Sequence, residues 1–400
     1  MSKKKPVPEL RFPEFEEDWK KYKLSELFSI SAGGDIDSNK VKPEPDEVYK
    51  YPVYANAEKK KGLYGYSSEY KIEPNVITVA GRGVNVGITH VRDHRFYPIV
   101  RLLVLNPKIS LSIHFFEYQI NRINIFLEST GVPQLTAPQI SSYKVASTSI
   151  AEQEKIASFL GAIDTRLTQL RRKHKLLQTY KRGVMQKIFS QEIRFPEFKN
   201  DWIYSTLGKV TKYTKGFAFK SEDYLDNGIR IIRASDLDNQ RIRQENQKVC
   251  VSEEFAENDK IKKYTVYKGN IIISTVGSKP ELRSSAVGRG VYVCSDSEGL
   301  LNQNLLKFEN IEDVNNRFLF AQINTSRYVD YISSIQRGNA NQSNITVKDL
   351  LDYQIFITSL EEQEKIADFL TAIDRKIEAV AQQIDRTKQF KKGLLQKMFV

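Results

Sequence analysis

A segment of 17 residues occurs twice in this 400-residue chain, and this repeat limits the possible folds more than any other feature. AEQEKIASFLGAIDTRL occupies 151–167 and EEQEKIADFLTAIDRKI occupies 361–377, with 11 identical positions at an offset of 210. The shorter motif RFPEF occurs at 11–15 and 194–198, each time with a tryptophan four residues later. The chain therefore contains two copies of the same order of segments: a leading segment, a variable region and a long helix. This order predicts a pseudo-two-fold duplication in which the end of the chain meets its beginning.

Both repeats are predicted to open long helices. Ser149 and Ser359 each precede a glutamate by three residues, which is the spacing of a helix capping box. Apolar residues then recur every seven positions, with Thr387 as the one polar break. We assign this row to helix packing: Ile156, Ile163, Leu170, Leu177, Val184, Ile366, Ile373, Val380 and Leu394.

A sustained seven-residue apolar repeat is typical of a coiled-coil seam. Roughly 39 helical residues make a rod about 58 Å long, and two such rods in one chain most simply pack on each other. The alternative is two unrelated amphipathic helices, each buried in its own domain.

The regions 24–148 and 207–358 have a different pattern, in which short β-branched and aromatic runs alternate with glycine, asparagine and serine. Runs such as NVITVAGRGVNVGITHV and GNIIISTVG predict strands joined by tight turns. VNNRFLFAQINT and SIHFFEYQINRINIFLE are predicted to be helices packed against these strands. We therefore predict an α+β protein with two mixed α+β domains and two long helices, divided as 1–148, 149–190, 191–358 and 359–400.

The sequence contains no recognisable catalytic or metal-binding constellation. His90 and His94 lie in a predicted strand and turn, without an acidic or cysteine partner at a metal-ligand spacing. GRGVNVG at 81–87 does not match a nucleotide-binding fingerprint and is predicted to be a turn. Cys250 and Cys294 are the only cysteines and form neither a disulfide framework nor a metal motif. We expect no cofactor, no metal and no active site; an enzyme with an unrecognised site is the competing hypothesis.

Charge and hydropathy indicate the class of partner. No apolar stretch of 18 residues and no signal peptide occur, so we expect a cytoplasmic protein without membrane contact. The net charge of +12 suggests a polyanionic partner. Half of that excess, +6, lies in 149–190, whereas the other three predicted segments carry +4, +1 and +1. Net charge alone therefore does not assign either variable region to DNA.

Local clusters of basic and amide side chains are better candidates for DNA contact, because Arg, Lys, Asn and Gln read base edges and phosphates. In the first variable region the candidates are Lys59, Lys60, Lys61, Tyr64, Arg82 and Asn85. In the second they are Lys220, Arg233, Lys279, Arg283, Arg289, Arg337, Asn339, Asn341 and Gln342. For each cluster the alternative interpretation is a solvated loop.

The combined motifs resemble those of the DNA-specificity subunit of type I restriction–modification systems. The resemblance lies in the helix motif EQEKIA.FL.AID followed by K.G..QK.F, which occurs twice after variable regions of similar size. GFAFKSEDYLDNGIRIIRASDL at 216–237, LNQNL at 301–305 and QRGNANQSNITVKDL at 336–350 are also typical of the second half of that family. The likeness covers essentially the whole chain, although the first variable region lacks the F-K-S…G-I-x-I-I-R string.

This resemblance implies that each variable region is a target recognition domain for one half of a bipartite, asymmetric DNA sequence. It implies that the helices are antiparallel spacers that set the gap between the halves and dock methyltransferase subunits, and that the chain has no catalytic residues of its own. The implied partners are double-stranded DNA, two methyltransferase (modification) subunits and restriction endonuclease subunits. The alternative function is a coiled-coil scaffold or adaptor whose globular domains bind proteins.

Overall fold

The computed structural model of this chain describes residues 7–57, 59–83, 85–123, 125, 134–238, 241–244, 248–278, 287–295, 299–309, 311–338 and 342–400. The chain forms two compact units. Unit 1 comprises Met1–Arg171 and Gln382–Val400, and unit 2 comprises Arg172–Ala381. Unit 1 is therefore built from both ends of the chain.

Two of the α-helices are much longer than the others. In chain order, the α-helices of the described residues are α1 (Leu24–Leu27), α2 (Ile113–Ile120), α3 (Ala137–Ser142), α4 (Ile150–Phe189), α5 (Glu253–Glu257), α6 (Asp259–Lys262), α7 (Asn316–Gln322), α8 (Ser326–Ile335), α9 (Val347–Leu351) and α10 (Leu360–Lys397). Short 3₁₀ helices occupy Ser38–Lys40, Lys59–Gly62, Leu207–Lys209, Ser221–Asp223 and Ala234–Asp236. The 40 residues of α4 and the 38 of α10 contain the two repeats. Within the described ranges, no helix has the length and apolar character needed to cross a membrane.

Unit 1 contains two four-stranded sheets and a two-stranded ribbon. Its strands are β1 (Lys20–Lys23), β2 (Phe28–Ala32), β3 (Val41–Lys42), β4 (Tyr51–Tyr54), β5 (Leu63–Ser67), β6 (Val76–Val79), β7 (Thr89–Arg92), β8 (Tyr97–Pro98), β9 (Leu103–Pro107) and β10 (Lys144–Ser147). The sheets have the orders β2-β9-β6-β7 and β3-β5-β4-β8, and β1 pairs with β10. All pairs are antiparallel except β4 with β8. The central strand β6 is buried throughout, which explains its continuous apolar and β-branched sequence.

Unit 2 repeats this scheme. Its strands are β11 (Ile203–Thr206), β12 (Lys212–Lys215), β13 (Ile229–Ile232), β14 (Leu237–Asp238), β15 (Arg241–Ile242), β16 (Cys250–Val251), β17 (Thr265–Val266), β18 (Ile271–Ser274), β19 (Val276–Gly277), β20 (Gly290–Tyr292), β21 (Gly299–Leu301), β22 (Leu305–Glu309), β23 (Arg337–Gly338), β24 (Ser343–Asn344) and β25 (Gln354–Ile357). The main sheets have the orders β12-β22-β18-β20 and β16-β13-β21-β17, and β11 pairs with β25. Smaller sheets are β14-β15 and β19-β24-β23. Sheets β2-β9-β6-β7 and β12-β22-β18-β20 have the same topology: numbered along the chain, their four strands lie in the order first, fourth, second, third. The predicted α+β class and the duplication are therefore confirmed.

The duplication extends to single hydrogen bonds. In unit 1, the Gln119 side chain brackets Ala146, accepting from its N–H at 2.9 Å and donating to its carbonyl. In unit 2, Gln322 makes the same two bonds to Phe356, both at 2.8 Å. All four residues are buried, so each amide satisfies backbone groups that water does not reach. These brackets fix α2 to β10 and α7 to β25 in the same way.

A buried ion pair joins each RFPEF motif to the first turn of a long helix. In unit 1, Arg11 donates to both carboxylate oxygens of Glu152, at 2.7 and 2.8 Å. In unit 2, Arg194 donates to both oxygens of Glu362, each at 2.7 Å. The two glutamates are fully buried. The predicted capping box is therefore only half formed at α10: the Glu362 N–H donates to Ser359 Oγ at 3.4 Å, but the carboxylate binds the arginine.

The end of the chain meets its beginning inside unit 1. The Leu10 N–H donates to the carbonyl of Lys397, near the end of α10, at 2.9 Å. In unit 2, the Ile193 N–H donates to the carbonyl of Lys187, near the end of α4, at 3.2 Å. In unit 2 the helix and the leading segment are consecutive in the chain, whereas in unit 1 they come from opposite ends of the chain and meet through a hydrogen bond. In both units the leading segment lies against the end of a long helix.

Most residues of the apolar row are buried. Seven of the nine have exposures of 9% or less, namely Ile156, Leu170, Val184, Ile366, Ile373, Val380 and Leu394. Ile163 and Leu177 are half-buried. Segments of α4 and α10 contact each other within each unit: Lys391 pairs with Asp164 at 2.6 Å in unit 1, and Lys181 pairs with Asp374 at 2.6 Å in unit 2.

We predict that Arg194→Met destabilises unit 2 in a pH-dependent way. Burial raises the pKa of the Glu362 carboxyl, but hydrogen bonds from Arg194, Thr358 and Trp202 hold it below its ordinary value. A lowered folded-state pKa contributes stability above the ordinary carboxyl pKa, and this stability is lost as the pH falls. Removing the guanidinium leaves a buried carboxylate without a cation. The free energy of unfolding should fall by roughly 3 kcal/mol at pH 7, and by less near pH 4, where the carboxyl takes up a proton.

Denaturant unfolding followed by Trp202 fluorescence, in a Trp19→Phe background, measures this change because Trp202 lies in the core of unit 2. Lys262→Met is the matched control, since it removes an ion pair that lies at the surface and should change the midpoint little. An Arg194→Met loss of equal size at both pH values would contradict the assigned role of the buried carboxylate.

Candidate nucleic-acid interface

The loops that follow β2, β4 and β6 lie at one end of unit 1, together with the segment before β9. We call this end loop face 1; its described residues are 33–34, 55–57, 59–62, 80–83, 85–87, 99–102 and 134–135. The Asn56 side chain joins three of these segments: its Oδ1 accepts from the Gly81 N–H at 2.8 Å, and its Nδ2 donates to the Val100 carbonyl. The sheet topology therefore gathers loops that are far apart in sequence.

The lysine cluster lies on a tight turn of loop face 1. Lys60 and Lys61 are exposed and have left-handed backbone conformations, with φ of 49° and 54°. Tyr64 is 61% exposed on the following strand. Lys59 opens the turn, and its side chain lies outside the described residues. The chain closes this turn with a hydrogen bond of 2.9 Å from the Ala55 N–H to the Gly62 carbonyl.

Arg82 and Asn85 lie on the adjacent glycine-rich loop. Arg82 is exposed and forms an isolated antiparallel bridge with Gln134. Asn85 is half-buried, and its carbonyl accepts from the Ile88 N–H at 3.1 Å. A Cβ atom on Gly81 would lie 2.8 Å from the Arg101 carbonyl oxygen, so this loop must pass close to the neighbouring turn. The structure thus brings the basic residues of three separate segments onto one face.

A buried cation lies beneath the lysine turn. Arg92 is 2% exposed, and its guanidinium carbon lies 3.6 Å from the centroid of the Tyr54 ring. Its Nη2 donates to the Lys61 carbonyl at 2.8 Å, and its Nε donates to Thr78 Oγ1 at 3.0 Å. Burial lowers the pKa of Arg92, which keeps its charge at neutral pH because the ordinary value is so high.

His90 lies on the same strand, and its environment disfavours a second cation. Burial, with help from the charges of Arg92 and Lys61, lowers the pKa of His90 to about 4. The Nε2 atom is buried and has no hydrogen-bond partner in the described structure. His94, by contrast, lies 2.7 Å from Asp93 and 3.0 Å from the Tyr54 hydroxyl. His94 is therefore engaged by neighbouring protein groups, whereas His90 keeps one buried ring nitrogen without a described partner.

Unit 2 presents an equivalent end, which we call loop face 2. Its described residues are 216–217, 232–233, 275–278, 302–304, 337–338 and 342–344. Thr275 joins two of these segments through bonds from its N–H and Oγ1 to the Asn304 carbonyl, at 2.9 and 3.0 Å. Arg337 lies opposite Asn344 in the sheet β19-β24-β23.

Three predicted contact residues lie on loop face 2. Arg337 is exposed and pairs with Asp349 at 3.0 Å. Gln342 is exposed and directly precedes β24 of the small sheet. Arg233 follows β13 and is half-buried; its N–H donates to Asp236 at 2.9 Å and its guanidinium lies 3.4 Å from the same carboxylate. Arg337 and Gln342 therefore lie at the exposed surface, with Arg337 held beside Asp349, whereas Asp236 orients Arg233.

The other predicted residues of unit 2 divide into two groups. Lys220 is exposed beside Glu222, at 3.1 Å, and Arg289 is half-buried with its carbonyl accepting from the Ser274 N–H at 3.2 Å. Four further candidates lie outside the described residues: Lys279, Arg283, Asn339 and Asn341.

Sequence reasoning missed several polar residues of these faces. In unit 1 they are Asn56 and the exposed Arg101; in unit 2 they are the exposed Gln303 and Asn304. The three amides of LNQNL were a usable signal for Asn304. No local pattern marks Arg101, because its neighbours in sequence are strand residues and the turn that exposes it exists only in the fold.

The described residues include no group of three or more His, Cys, Asp or Glu side chains that could hold a metal ion. Cys250 is buried and Cys294 is exposed. The polar groups brought together on both loop faces are instead basic and amide side chains, which suit hydrogen bonding to phosphates and base edges.

Comparison with known families places these features in context. The family model of the type I restriction modification DNA specificity domain matches residues 16–178 and 199–389. The two matches cover both variable regions and most of both long helices. They follow the internal duplication and together span most of the chain.

Individual relatives share this description. The chain is 34% identical over 145 residues to a putative type I specificity subunit from Mycoplasma pneumoniae, which covers 36% of this chain and 39% of that protein. A second relative from the same organism is 31% identical over 162 residues and is matched over 48% of its length, so the chain spans less than half of either protein. The specificity subunit of the type I restriction enzyme MjaVIII from Methanocaldococcus jannaschii is 24% identical over 309 residues, covering 72% of this chain and 69% of that one.

A solved structure has the same fold. The S subunit of a type I restriction–modification system from M. genitalium superimposes with a TM-score of 0.66, covering 98% of this chain and 99% of that one at 17% identity. At this identity the likeness concerns the fold alone.

We predict that His90 makes unit 1 sensitive to acid. Because its pKa is lowered on folding, the unfolded chain binds more protons, and stability falls as the pH drops from about 6.5 towards 4. His90→Gln should weaken this dependence between pH 7 and 5. Denaturant midpoints followed by Trp19 fluorescence, in a Trp202→Phe background, provide the measurement. His114→Gln alters an exposed ring and is the control; an unchanged pH dependence in His90→Gln would exclude His90 as its source.

Proposed function

This chain belongs to the family of type I restriction–modification DNA specificity domains, and we propose that it is the DNA sequence-recognition subunit of a type I restriction–modification complex. In this proposal, loop face 1 reads one half of a bipartite, asymmetric target and loop face 2 reads the other half. The chain is non-catalytic and uses no cofactor, because methylation and cleavage belong to its partners. We place the complex in the cytoplasm, with the DNA.

One observation carries this proposal: two units that share the strand order of one main sheet present different side chains on equivalent loop faces. Loop face 1 offers the Lys60–Lys61 turn and Arg82, whereas loop face 2 offers Arg337, Gln342 and Asn304. Base sequence is read by side chains that reach the grooves, and the scaffold only positions them. One scaffold with two unlike surfaces therefore suits a target whose two halves differ.

The long helices are proposed to connect the two target recognition domains and to bind the partner subunits of the complex. We propose that α4 and α10 pack as an antiparallel coiled coil that separates target recognition domains 1–148 and 191–358, with 149–190 and 359–400 as spacers. The order of the ion pairs supports this direction. On α4, Asp164 precedes Lys181. On α10 their partners occur in the opposite order, because Lys391, which pairs with Asp164, follows Asp374, which pairs with Lys181.

The proposed partners of the spacer helices are two methyltransferase subunits, with restriction endonuclease subunits added to the complex. A helix pair with a buried seam and polar outer positions can support the chain internally and still offer surface to other proteins. The duplicated helices offer two equivalent surfaces, which matches two copies of one partner.

We predict that deleting this gene, in cells that retain the partner methyltransferase, abolishes methylation at one bipartite motif. The motif should be non-palindromic, with two specified parts at a fixed spacing. Sequencing that detects methylated bases across the genome, before and after deletion, gives the target directly. Restoring the gene on a plasmid is the control. Unchanged methylation with an active methyltransferase would favour the scaffold function instead.

We predict that helix length sets the gap in the target. One heptad inserted in both α4 and α10 adds about 10.5 Å and should lengthen the gap by about three base pairs, at roughly 3.4 Å each. Methylation mapping of the variant measures the gap. A variant with the same heptad substituted in place, without insertion, should keep the original spacing. If the inserted variant assembles and methylates a motif with the original gap, helix length does not set the spacing between the two half-sites.

A further inference from the structure

Loop face 1 carries two adjacent turns in an unusual backbone conformation. Lys60 and Lys61 have φ of 49° and 54°, and Val100 and Arg101 have φ of 52° and 58°. The left-handed region is unfavourable for residues with a Cβ atom, and most of all for β-branched residues such as valine. These four make up the majority of the seven non-glycine residues with positive φ in the described structure. Such conformations persist only where surrounding contacts enforce them, and they concentrate at functional sites.

The two turns are neighbours in the fold. The Ala55 N–H donates to Gly62 in the first turn, and the Ile99 N–H, at the start of the second turn, donates to Tyr54, each at 2.9 Å. The segment 54–55 therefore runs between them. The turns are separated by two strand spacings, or roughly 10 Å.

Two polar side chains hold these turns. Asn56 donates from Nδ2 to the Val100 carbonyl, while its Oδ1 accepts from the Gly81 N–H. Buried Arg92 donates to the Lys61 carbonyl at 2.8 Å. Each side chain binds a carbonyl inside a left-handed turn, so both act on the conformation of the turn rather than on solvent.

Among the described residues of unit 1, the charged ends on these turns have no acidic partner. Lys60, Lys61 and Arg101 are exposed, and none forms an ion pair in the part of unit 1 that the structure describes. Lys42 and Lys155, elsewhere in the unit, do pair with carboxylates. With the buried guanidinium below them, these side chains produce a concentrated positive field. Such a field favours an anionic ligand.

We propose that Lys60, Lys61 and Arg101 bind the sugar–phosphate backbone beside the half-site read by unit 1, with Asn56 and Arg92 as positioning residues. This inference rests on the proposed function and refines it, since it assigns the lysine turn to phosphates and adds Arg101 to the contact set. Lysine acts as a point charge suited to phosphate, and fixed turns hold such charges in register with the duplex.

The test is a salt titration of the assembled complex, full-length chain with its methyltransferase subunits, on a duplex that carries the target. Each phosphate contact contributes about 0.9 to the slope of log affinity against log salt. Arg101→Gln should reduce the magnitude of this slope by about 1. Between 50 and 200 mM salt, the fold-loss of affinity should therefore be roughly 3.5 times smaller for the variant than for the wild type. Arg101→Lys should restore the slope, because it keeps the charge.

Sequence preference separates phosphate contact from base reading. A base substitution in the half-site should weaken the wild type and Arg101→Gln by the same factor. Asn56→Ala removes the hydrogen bonds to Val100 and Gly81 without adding a charge, and should also lower the slope while Trp19 fluorescence shows unit 1 folded. Lys144→Gln removes an exposed charge on the ribbon β1-β10 and should leave the slope unchanged.

Three outcomes would overturn the inference. They are an unchanged slope in Arg101→Gln, an equal loss of slope in Lys144→Gln, and a changed base preference in Arg101→Gln, which would assign Arg101 to base reading. A wild-type complex that binds the target and random duplexes equally would instead refute the proposed function. In that case, the slope of Arg101→Gln on the same duplexes still decides whether phosphate is bound.

Discussion

The structure depends on a buried carboxylate at the start of each long helix. Glu152 and Glu362 are each removed from water, and a charge in that position is tolerated only with a well-placed cation and further hydrogen bonds. The cation comes from RFPEF, through Arg11 or Arg194, and a threonine four residues before each glutamate donates as well. This requirement ties the leading segment, the last strand of the variable region and the helix together at one point.

The same constraint accounts for the closed arrangement of unit 1. Its arginine lies near the beginning of the chain, and the adjacent Leu10 bonds to Lys397 near the end. Unit 2 makes the corresponding contact between Ile193 and Lys187, which are close in sequence. Two junctions with different covalent connections therefore have the same geometry, because the carboxylate and the helix end demand it in both.

Each loop face is varied on this fixed frame. The Gln119 and Gln322 brackets keep the helices and sheets in place while the loops at the far ends of the strands differ. In unit 1 the loops include two left-handed turns, one of which accepts a hydrogen bond from the buried Arg92 of β7. In unit 2 they form an additional small sheet, β19-β24-β23. A rigid frame suits recognition, since strained turns persist only where neighbouring contacts enforce them.

The sequence was sufficient for the features that depend on local spacing. The seven-residue period located α4 and α10, and alternating β-branched runs predicted strands such as β6 and β18. It was less accurate where local pattern and tertiary contact compete. SIHFFEYQINRINIFLE predicted one helix, whereas α2 ends at Ile120 and the Asn121 side chain accepts from the Thr89 N–H. The glutamates of both predicted capping boxes bind arginines, because a distant cation offers a stronger bond than the backbone does.

By itself, therefore, the sequence determined the duplication, the two long helices, the α+β class and the positions of several basic clusters. Only the tertiary structure decided which of these residues share a surface. Arg101 and Asn56 carried no local signal, because their importance comes from loops that sheet pairing brings together across tens of residues. The physical reason is that periodicity records which face of an element is buried, whereas a binding surface is assembled from the ends of many elements.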